Sequence, residues 1–231
     1  KKLIVIDDNV KKSLPKDLKT TTVRNIFNKD KLKKSNSIKD KKYLNIGYIG
    51  SYLKYKGVQD LIIATNNLTK KGYKIRLYLA GDYIRKQNLI INFFLKILNL
   101  DNNINPIENK KNIFNLGVIN NLEFFYKKIN VLCFPSYLNA LGRQVFEAAL
   151  FGLPSIVCLD KNYSDSFINH QTGIAIKNPG SINKLENSII FFYKNRTYVK
   201  KMGRQAFILV KKKFDKKKNL KILEGIYKSL A

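Results

Sequence analysis

Two short segments of the 231-residue chain carry residue types that could grip a charged ligand. The first is Gly50-Ser51-Tyr52-Leu53-Lys54-Tyr55-Lys56-Gly57. A glycine directly after an apolar run lets backbone amides approach a ligand, and a lysine a few residues later offers a point charge for phosphate. The second runs from Pro135-Ser136 through Leu141-Gly142-Arg143 and Glu147 to Gly152-Leu153-Pro154. Here an apolar run ends, a loop follows, and a helix is expected to begin near Gly142. The free amides of a helix start form an anion site, favoured further by the helix dipole. Glu147 would stand about one turn into that helix, between Phe146 and Ala148. A lone buried carboxylate is costly, and a ribose diol can donate two hydrogen bonds to one carboxylate. A diphosphate at the helix start and a ribose over Glu147 together describe a bound nucleotide.

The elements that must position these segments can be read from periodicity and punctuation. Leu3–Ile6 and Thr20–Phe27 read as short strands, with a helical turn over Asn9–Leu14 stopped by Pro15; residues 28–42 are polar and aperiodic, as in a linker. A regular alternation starts at Tyr43. Strands are expected at Leu44–Ile49, Ile75–Ala80, Ile113–Phe114, Val131–Phe134, Ser155–Leu159 and Gly173–Ile176. Helices are expected at Val58–Lys71, Ile84–Leu98, Asn121–Lys128, Arg143–Phe151 with Gly152 as its C-cap, Ser181–Lys194, Thr197–Lys213 and Lys216–Leu230. Such alternation means parallel βαβ units, hence an α/β, Rossmann-like doubly wound parallel sheet followed by C-terminal helices. Ligands bind such sheets outside the carboxyl ends of the strands. That directs attention to loops 50–57, 114–120 and 135–143. The expected organisation is a piece of a preceding domain and a linker over 1–42, a nucleotide-binding domain over 43–195 and helices over 196–231.

Composition narrows the function classes. A hydrophobic share of 45% supports a real core, and no apolar run approaches the roughly 18 residues of a membrane span. The N-terminus is too short in apolar residues, and too soon acidic at Asp7-Asp8, for a secretory signal. Met202 is the only methionine, so the chain is expected to be a piece of a longer protein. Cys133 and Cys158 lie in apolar stretches without ligand spacing and read as reduced core residues. His170 is the only histidine and reads as a surface residue, and Asp7-Asp8 reads as a turn; no metal is expected. The net charge is +28. It concentrates at the ends: 14 Lys and Arg against 5 Asp and Glu in residues 1–42, and 13 against 2 in residues 194–231. A basic surface favours an anionic partner such as acidic lipid, nucleic acid or a phosphate-bearing substrate.

The segment Pro135–Pro154 resembles the signature of family 4 retaining glycosyltransferases of GT-B fold, which runs Pro-Ser, then Glu-x7-Glu-Ala, then Gly-x-Pro before a strand. Other segments fall in matching order. Gly50 to Lys56-Gly57 resembles the family's phosphate loop, and Ala80-Gly81-Asp82 its strand end. Leu116-Gly117 resembles the turn facing the base, and Ser164-Asp165-Ser166 to Thr172-Gly173 the loop before the last strand. Met202-Gly203-Arg204 and Lys213-Phe214-Asp215 resemble its C-terminal helices. The resemblance covers nearly the whole chain. It implies the C-terminal, donor-binding half of a two-domain enzyme that moves a sugar from a nucleotide sugar, such as a UDP- or GDP-sugar, to a lipid-linked or polysaccharide acceptor.

On matching positions, Lys56 would neutralise the diphosphate and assist its departure. Gly50 and Ser51 would border it, and the Leu141-Gly142-Arg143 backbone would contact phosphate and sugar. Glu147 would bind the ribose, and Ile113–Val118 with Leu116 and Gly117 would line the base pocket. The resemblance implies no metal and no cofactor beyond the donor, and no Asp-x-Asp occurs. Two positions depart from the pattern. Asn139 stands where the first Glu of Glu-x7-Glu faces the donor sugar, and Ser51 stands where the family commonly has Arg, a role that Lys54 or Arg143 would take. The implied location is the cytoplasm, with the basic ends offering contact to the inner face of a membrane. Competing readings are a basic module for acidic membrane or nucleic acid, which rests on charge alone, and a sugar epimerase of GT-B fold. The apolar stretch from Ile84 to Leu100 reads as a core or inter-domain helix, and the tract Lys211–Lys218 as a solvated helix junction.

Overall fold

The computed structural model describes residues 3–6, 8–24, 42–83, 104, 107–138, 140–160 and 166–229. The helix expected at Ile84–Leu98, residues 28–41 of the linker, Asp7, Ser164-Asp165 and Asn139 lie outside the described residues.

The elements follow the apolar periodicity closely. In chain order they are β1 (Leu3–Val5), α1 (Asp8–Ser13), β2 (Thr20–Thr22), β3 (Leu44–Ile49), a 3₁₀ turn (Lys54–Lys56), α2 (Val58–Lys70), β4 (Ile75–Ala80), β5 (Ile113–Asn115), α3 (Leu122–Lys128), β6 (Val131–Phe134), α4 (Arg143–Leu150), β7 (Ser155–Cys158), β8 (Gly173–Ile176), α5 (Ile182–Lys194), α6 (Arg196–Lys213) and α7 (Lys216–Lys228). β1 and β2 pair in parallel as a separate small sheet. Arg24, just beyond β2, donates its backbone N–H to Asn219 Oδ1 of α7 at 2.9 Å, so the first segment of the chain is tied to the last helix.

The main sheet has six parallel strands in the order β5-β4-β3-β6-β7-β8. Counted from β3 this is the 3-2-1-4-5-6 order of dinucleotide-binding sheets, in which the winding direction reverses between the first and fourth strands. The sheet is apolar on both sides, as a parallel sheet covered by helices must be. Leu44, Ile46, Val131, Cys133 and Ile156 point to one face and pack with Leu61 and Leu68 of α2 and Leu185, Ile189 and Phe192 of α5. The alternate residues Leu132, Phe134 and Val157 point to the other face, against Phe125 and Tyr126 of α3 and Val145 and Ala148 of α4.

Helix α6 wraps the β8 side of the sheet. Its Met202 joins the first core, while Ala206 and Val210 pack against Ala149 and Leu150 of α4. Gly203 sits at the closest approach, where a Cβ would fall 1.9 Å from the Gly152 carbonyl oxygen. That oxygen belongs to the backbone turn ending α4, with Gly152 at φ 70°, and it cannot swing away as a side chain would. Gly203→Ala should therefore cost about 1–3 kcal/mol through overpacking, against the roughly 1 kcal/mol that alanine gains in a helix. Urea unfolding of the variant measures it; an unchanged or higher midpoint would show that α6 does not need this seat.

Candidate active site

The reversal point lies where β3 and β6 run side by side. The loop after β3 leads into α2 on one face of the sheet, and the loop after β6 leads into α4 on the other. The two loops part at this point, the position at which doubly wound sheets bind their ligands. Three glycines line the carboxyl ends of adjacent strands. Gly50 donates its N–H to Ala80 O, and Gly81 donates to Gly117 O at 2.8 Å. A Cβ at Gly81 would meet Gly50 O at 1.9 Å. The loops after β3, β4 and β5 thus approach as bare backbone, which only glycine permits at Gly81.

Lys56 ends the 3₁₀ turn, and Gly57, at φ 70°, opens α2. The Lys56 ammonium lies 5.2 Å from the Tyr55 ring centroid and 5.7 Å from that of Phe134. Phe134 is the last residue of β6, and its ring also abuts Gly142, where a Cβ would fall 2.6 Å from Cζ. The Phe134 ring is therefore a common wall between the lysine and the start of α4. The two loops are also joined directly. Tyr137 donates its backbone N–H to Tyr55 O at 2.8 Å and its hydroxyl to Asp60 Oδ2 at 2.5 Å. Burial and the neighbouring Asp60 push the Tyr137 hydroxyl up to about 12. Gln144 bridges the same gap: its side-chain ends lie 3.3 Å from a Cβ placed on Gly50 and 2.3 Å from one placed on Gly142.

Three helix starts carry a side-chain cap, while α6, which follows Asn195, starts without one. Asn121, Ser181 and Asp215 cap α3, α5 and α7 with side-chain oxygens. The two helices that begin at the reversal point start instead from glycine, Gly57 for α2 and Gly142 for α4, with no side-chain cap. The first turn of α4 also holds no acidic residue. No carboxylate in that turn offsets the helix dipole.

Glu147 is 7% exposed, inside α4. It is not the lone carboxylate that its place in the sequence suggests. Oε1 accepts from Arg143 Nε at 2.8 Å, one turn back on the same helix, and Oε2 accepts from the Tyr126 hydroxyl of α3 at 2.9 Å. The buried charge is already paired, because in a low-dielectric site it must be. Arg143, expected as a free substitute for the missing loop arginine, spends its Nε on this pair. Tyr126 is fully buried and stacks on Phe151 at 4.9 Å. Burial first, then the Glu147 charge, pushes its hydroxyl well above the usual tyrosine range. Tyr126 and Gln144 were missed in the sequence. The i,i+4 spacing of Arg143 and Glu147 was visible there, whereas no spacing rule links α3 to α4.

The remaining expected residues lie as follows. Ser51 follows Gly50 at the loop mouth, half-buried, and its carbonyl accepts from the Tyr48 hydroxyl. Lys54 is exposed. Leu141 packs partly against the second core. At the end of β5, Phe114 stacks on Tyr78 and Leu116 donates its N–H to Leu79 O. Gly117 turns at φ 63° with open space beside it, and Val118 is 72% exposed. Asn115 Oδ1 accepts from Tyr52 Oη and from the Gly117 N–H, holding this turn to the loop after β3. A depression of about 200 Å³ between α2 and residues 107–113 takes no residue from loops 50–57 or 135–143. Among the described residues no three His, Cys, Asp or Glu side chains cluster as metal ligands would, and no helix is long and apolar enough to cross a membrane. Cys133 and Cys158 are buried and unpaired with each other. His170 is exposed, at φ 59°.

A model of the family described as glycosyl transferases group 1 matches residues 28–208. The chain belongs to this family. It is 23% identical over 182 residues to the capsular polysaccharide biosynthesis glycosyltransferase CapM of Staphylococcus aureus, covering 79% of this chain and 45% of that protein. It is 26% identical over 184 residues to the O-antigen biosynthesis glycosyltransferase WclY of Escherichia coli, covering 80% and 46%. The chain thus spans about half the length of these relatives. Among solved structures, Anabaena HepE in complex with UDP and glucose superimposes with a TM-score of 0.71 at 18% identity, covering 98% of this chain and 62% of that one. The fold is that of a Rossmann-like domain of the GT-B glycosyltransferases, and the chain is a domain of the group 1 family.

The Tyr126–Glu147 bond generates a prediction. Tyr126→Phe removes a donor to a buried carboxylate and should cost about 1.5–3 kcal/mol at neutral pH. The native tyrosine holds its proton above its ordinary value of 10.0. The folded state therefore binds more protons than the unfolded chain above about pH 10, and this contribution is lost as pH rises through that range. The variant should show a shallower fall in stability above about pH 10 than the parent. Urea titrations across that range measure both effects, and parallel curves for the two proteins would contradict the assignment.

Proposed function

We propose that this chain is the donor-binding half of a retaining glycosyltransferase that moves a sugar from a nucleotide sugar to a lipid-linked or polysaccharide acceptor. The observation that carries the reading is the meeting of Lys56 and the uncapped start of α4 across the Phe134 ring, with the paired carboxylate of Glu147 one turn deeper. In this reading the diphosphate lies between the Lys56 ammonium and the first amides of α4. Both are positive before the reaction starts, so charge developing on the leaving diphosphate is met without reorganisation. Glu147 accepts from the ribose hydroxyls, Ile113–Val118 border the base, and Gly50, Ser51 and the Leu141-Gly142-Arg143 backbone border the phosphates and sugar. By its place in the sequence pattern Asn139 is assigned to the sugar, where it brings hydrogen-bonding capacity without charge. The donor is the only small molecule the chemistry requires, with no metal and no further cofactor. The acceptor enters from a second domain that completes the cleft, residues 1–42 being the end of that domain and its linker. The capsular and O-antigen roles in the names of the relatives support a surface-glycan acceptor, and the UDP held by HepE supports a nucleoside diphosphate donor.

Calorimetry with UDP, GDP and their sugars tests the reading. One nucleoside diphosphate should bind, and Lys56→Ala should weaken it about tenfold or more, the worth of one charge-assisted contact. Glu147→Gln should erase the preference for the ribonucleotide over its 2′-deoxy analogue. A folded protein that binds none of them would end the donor assignment, and an unchanged preference in Glu147→Gln would end the ribose assignment alone. The isolated 231 residues should bind donor without transferring sugar; turnover by this chain alone would refute the need for a second domain.

A further inference from the structure

Helix α6 has two unlike faces. Met202, Gly203, Ala206 and Val210 are buried against the rest of the protein. Lys200, Lys201, Arg204, Ile208, Lys211 and Lys212 are exposed on the opposite face, at the i, i+4, i+8 spacing that makes one continuous stripe. From Lys200 to Lys212 the stripe is about 18 Å long. No Asp or Glu stands between Glu186 and Asp215, and none of the five cations enters an ion pair with a described residue. An overall bias towards lysine would leave acids interspersed; here they are absent from the whole helix. Lys201 lies 5.6 Å over the Tyr198 ring and Lys211 lies 5.9 Å over the Phe207 ring. In both contacts it is the ammonium group that lies over the ring face, on residues that are themselves exposed.

The chemistry of the partner follows from what stands among the cations. Ile208 is 47% exposed in the middle of the stripe, and Tyr198 is 39% exposed on its flank. Phosphates alone would satisfy the lysines, but an isoleucine gains only where the partner has an apolar interior beneath its charged surface. A lipid headgroup layer has both. Tyrosine favours that layer because one end is apolar and the other wet, and lysine stems can lie along it while their ammonium groups stay in water. A nucleic-acid backbone offers Ile208 nothing.

We propose that the outward face of α6 docks on a membrane surface rich in acidic lipid, with Ile208 and Tyr198 entering the headgroup layer between the lysines. The inner face of α6 seats on α4, so docking holds the start of α4 at a fixed position relative to the lipid. The proposal deepens the reading of a lipid-linked acceptor and does not depend on donor binding. Sedimentation with phosphatidylcholine vesicles, with and without phosphatidylglycerol, tests it. The protein should partition onto the acidic vesicles only, and should be released by salt. Replacing Lys200, Lys201, Arg204, Lys211 and Lys212 by Gln together should lower partitioning by at least about tenfold at low salt. Ile208→Asn, which leaves the charge unchanged, should lower it several-fold. Thermal midpoints equal to the parent's establish that both variants are folded. Parental partitioning by the five-Gln variant would overturn the proposal. So would an Ile208→Asn variant that partitions as the parent does, or duplex DNA bound more tightly than the vesicles. Donor binding without vesicle binding sinks this surface alone; vesicle binding without donor binding sinks the donor reading alone.

Discussion

Because β3 and β6 are hydrogen-bonded neighbours whose following helices lie on opposite faces of the sheet, the loops that leave them must part. Every other feature of the site depends on that parting. It sends the starts of α2 and α4 to the same end of the sheet from different sides. The two loops must also be held in register with one another. Phe134 is the common wall against which Lys56 and Gly142 both lie, while the Tyr137 bonds to Tyr55 and Asp60 tie the two loops together. The glycines at 50, 57, 81 and 142 are the necessary counterpart, since side chains at the last three would meet neighbouring atoms at under 2.5 Å.

Much of this was legible in the chain itself. The six strands of the main sheet sit within one residue of the expected spans, because each is a short apolar run ended by Gly, Pro or a charged turn. Helix starts at Asn121 and Ser181 were readable to the residue or nearly so, since capping side chains mark them. The loops of the site were legible for a different reason: a parallel sheet of this winding offers ligands one place, and the glycines and Lys56 stand there.

What the sequence could not show is contact between elements without a shared period. Tyr126 of α3 reads as one more apolar residue on a short helix, yet it donates the bond that satisfies half of the Glu147 carboxylate. Gln144 reads as an ordinary polar residue in a first turn, and its place between Gly50 and Gly142 depends on how α4 meets the loop after β3. The tie between Arg24 and Asn219 joins positions 195 apart, a distance over which local patterning carries no information. The double pairing of Glu147 was half visible, through Arg143 at i−4, and half hidden.

That pairing bears on how a carboxylate in α4 could hold a ribose at all. Burying a charge costs several kcal/mol unless partners replace the lost water, and a site that had to recruit its carboxylate on binding would meet that cost each time. Here Tyr126 and Arg143 have already replaced the water, and the helix fixes where the oxygens point. An ionised carboxylate has about four acceptor positions, and the two bonds from the protein use one on each oxygen. The remaining positions suffice for the two hydroxyls of a diol. The same two tethers that stabilise the buried charge therefore also fix where its oxygens point before any ligand arrives.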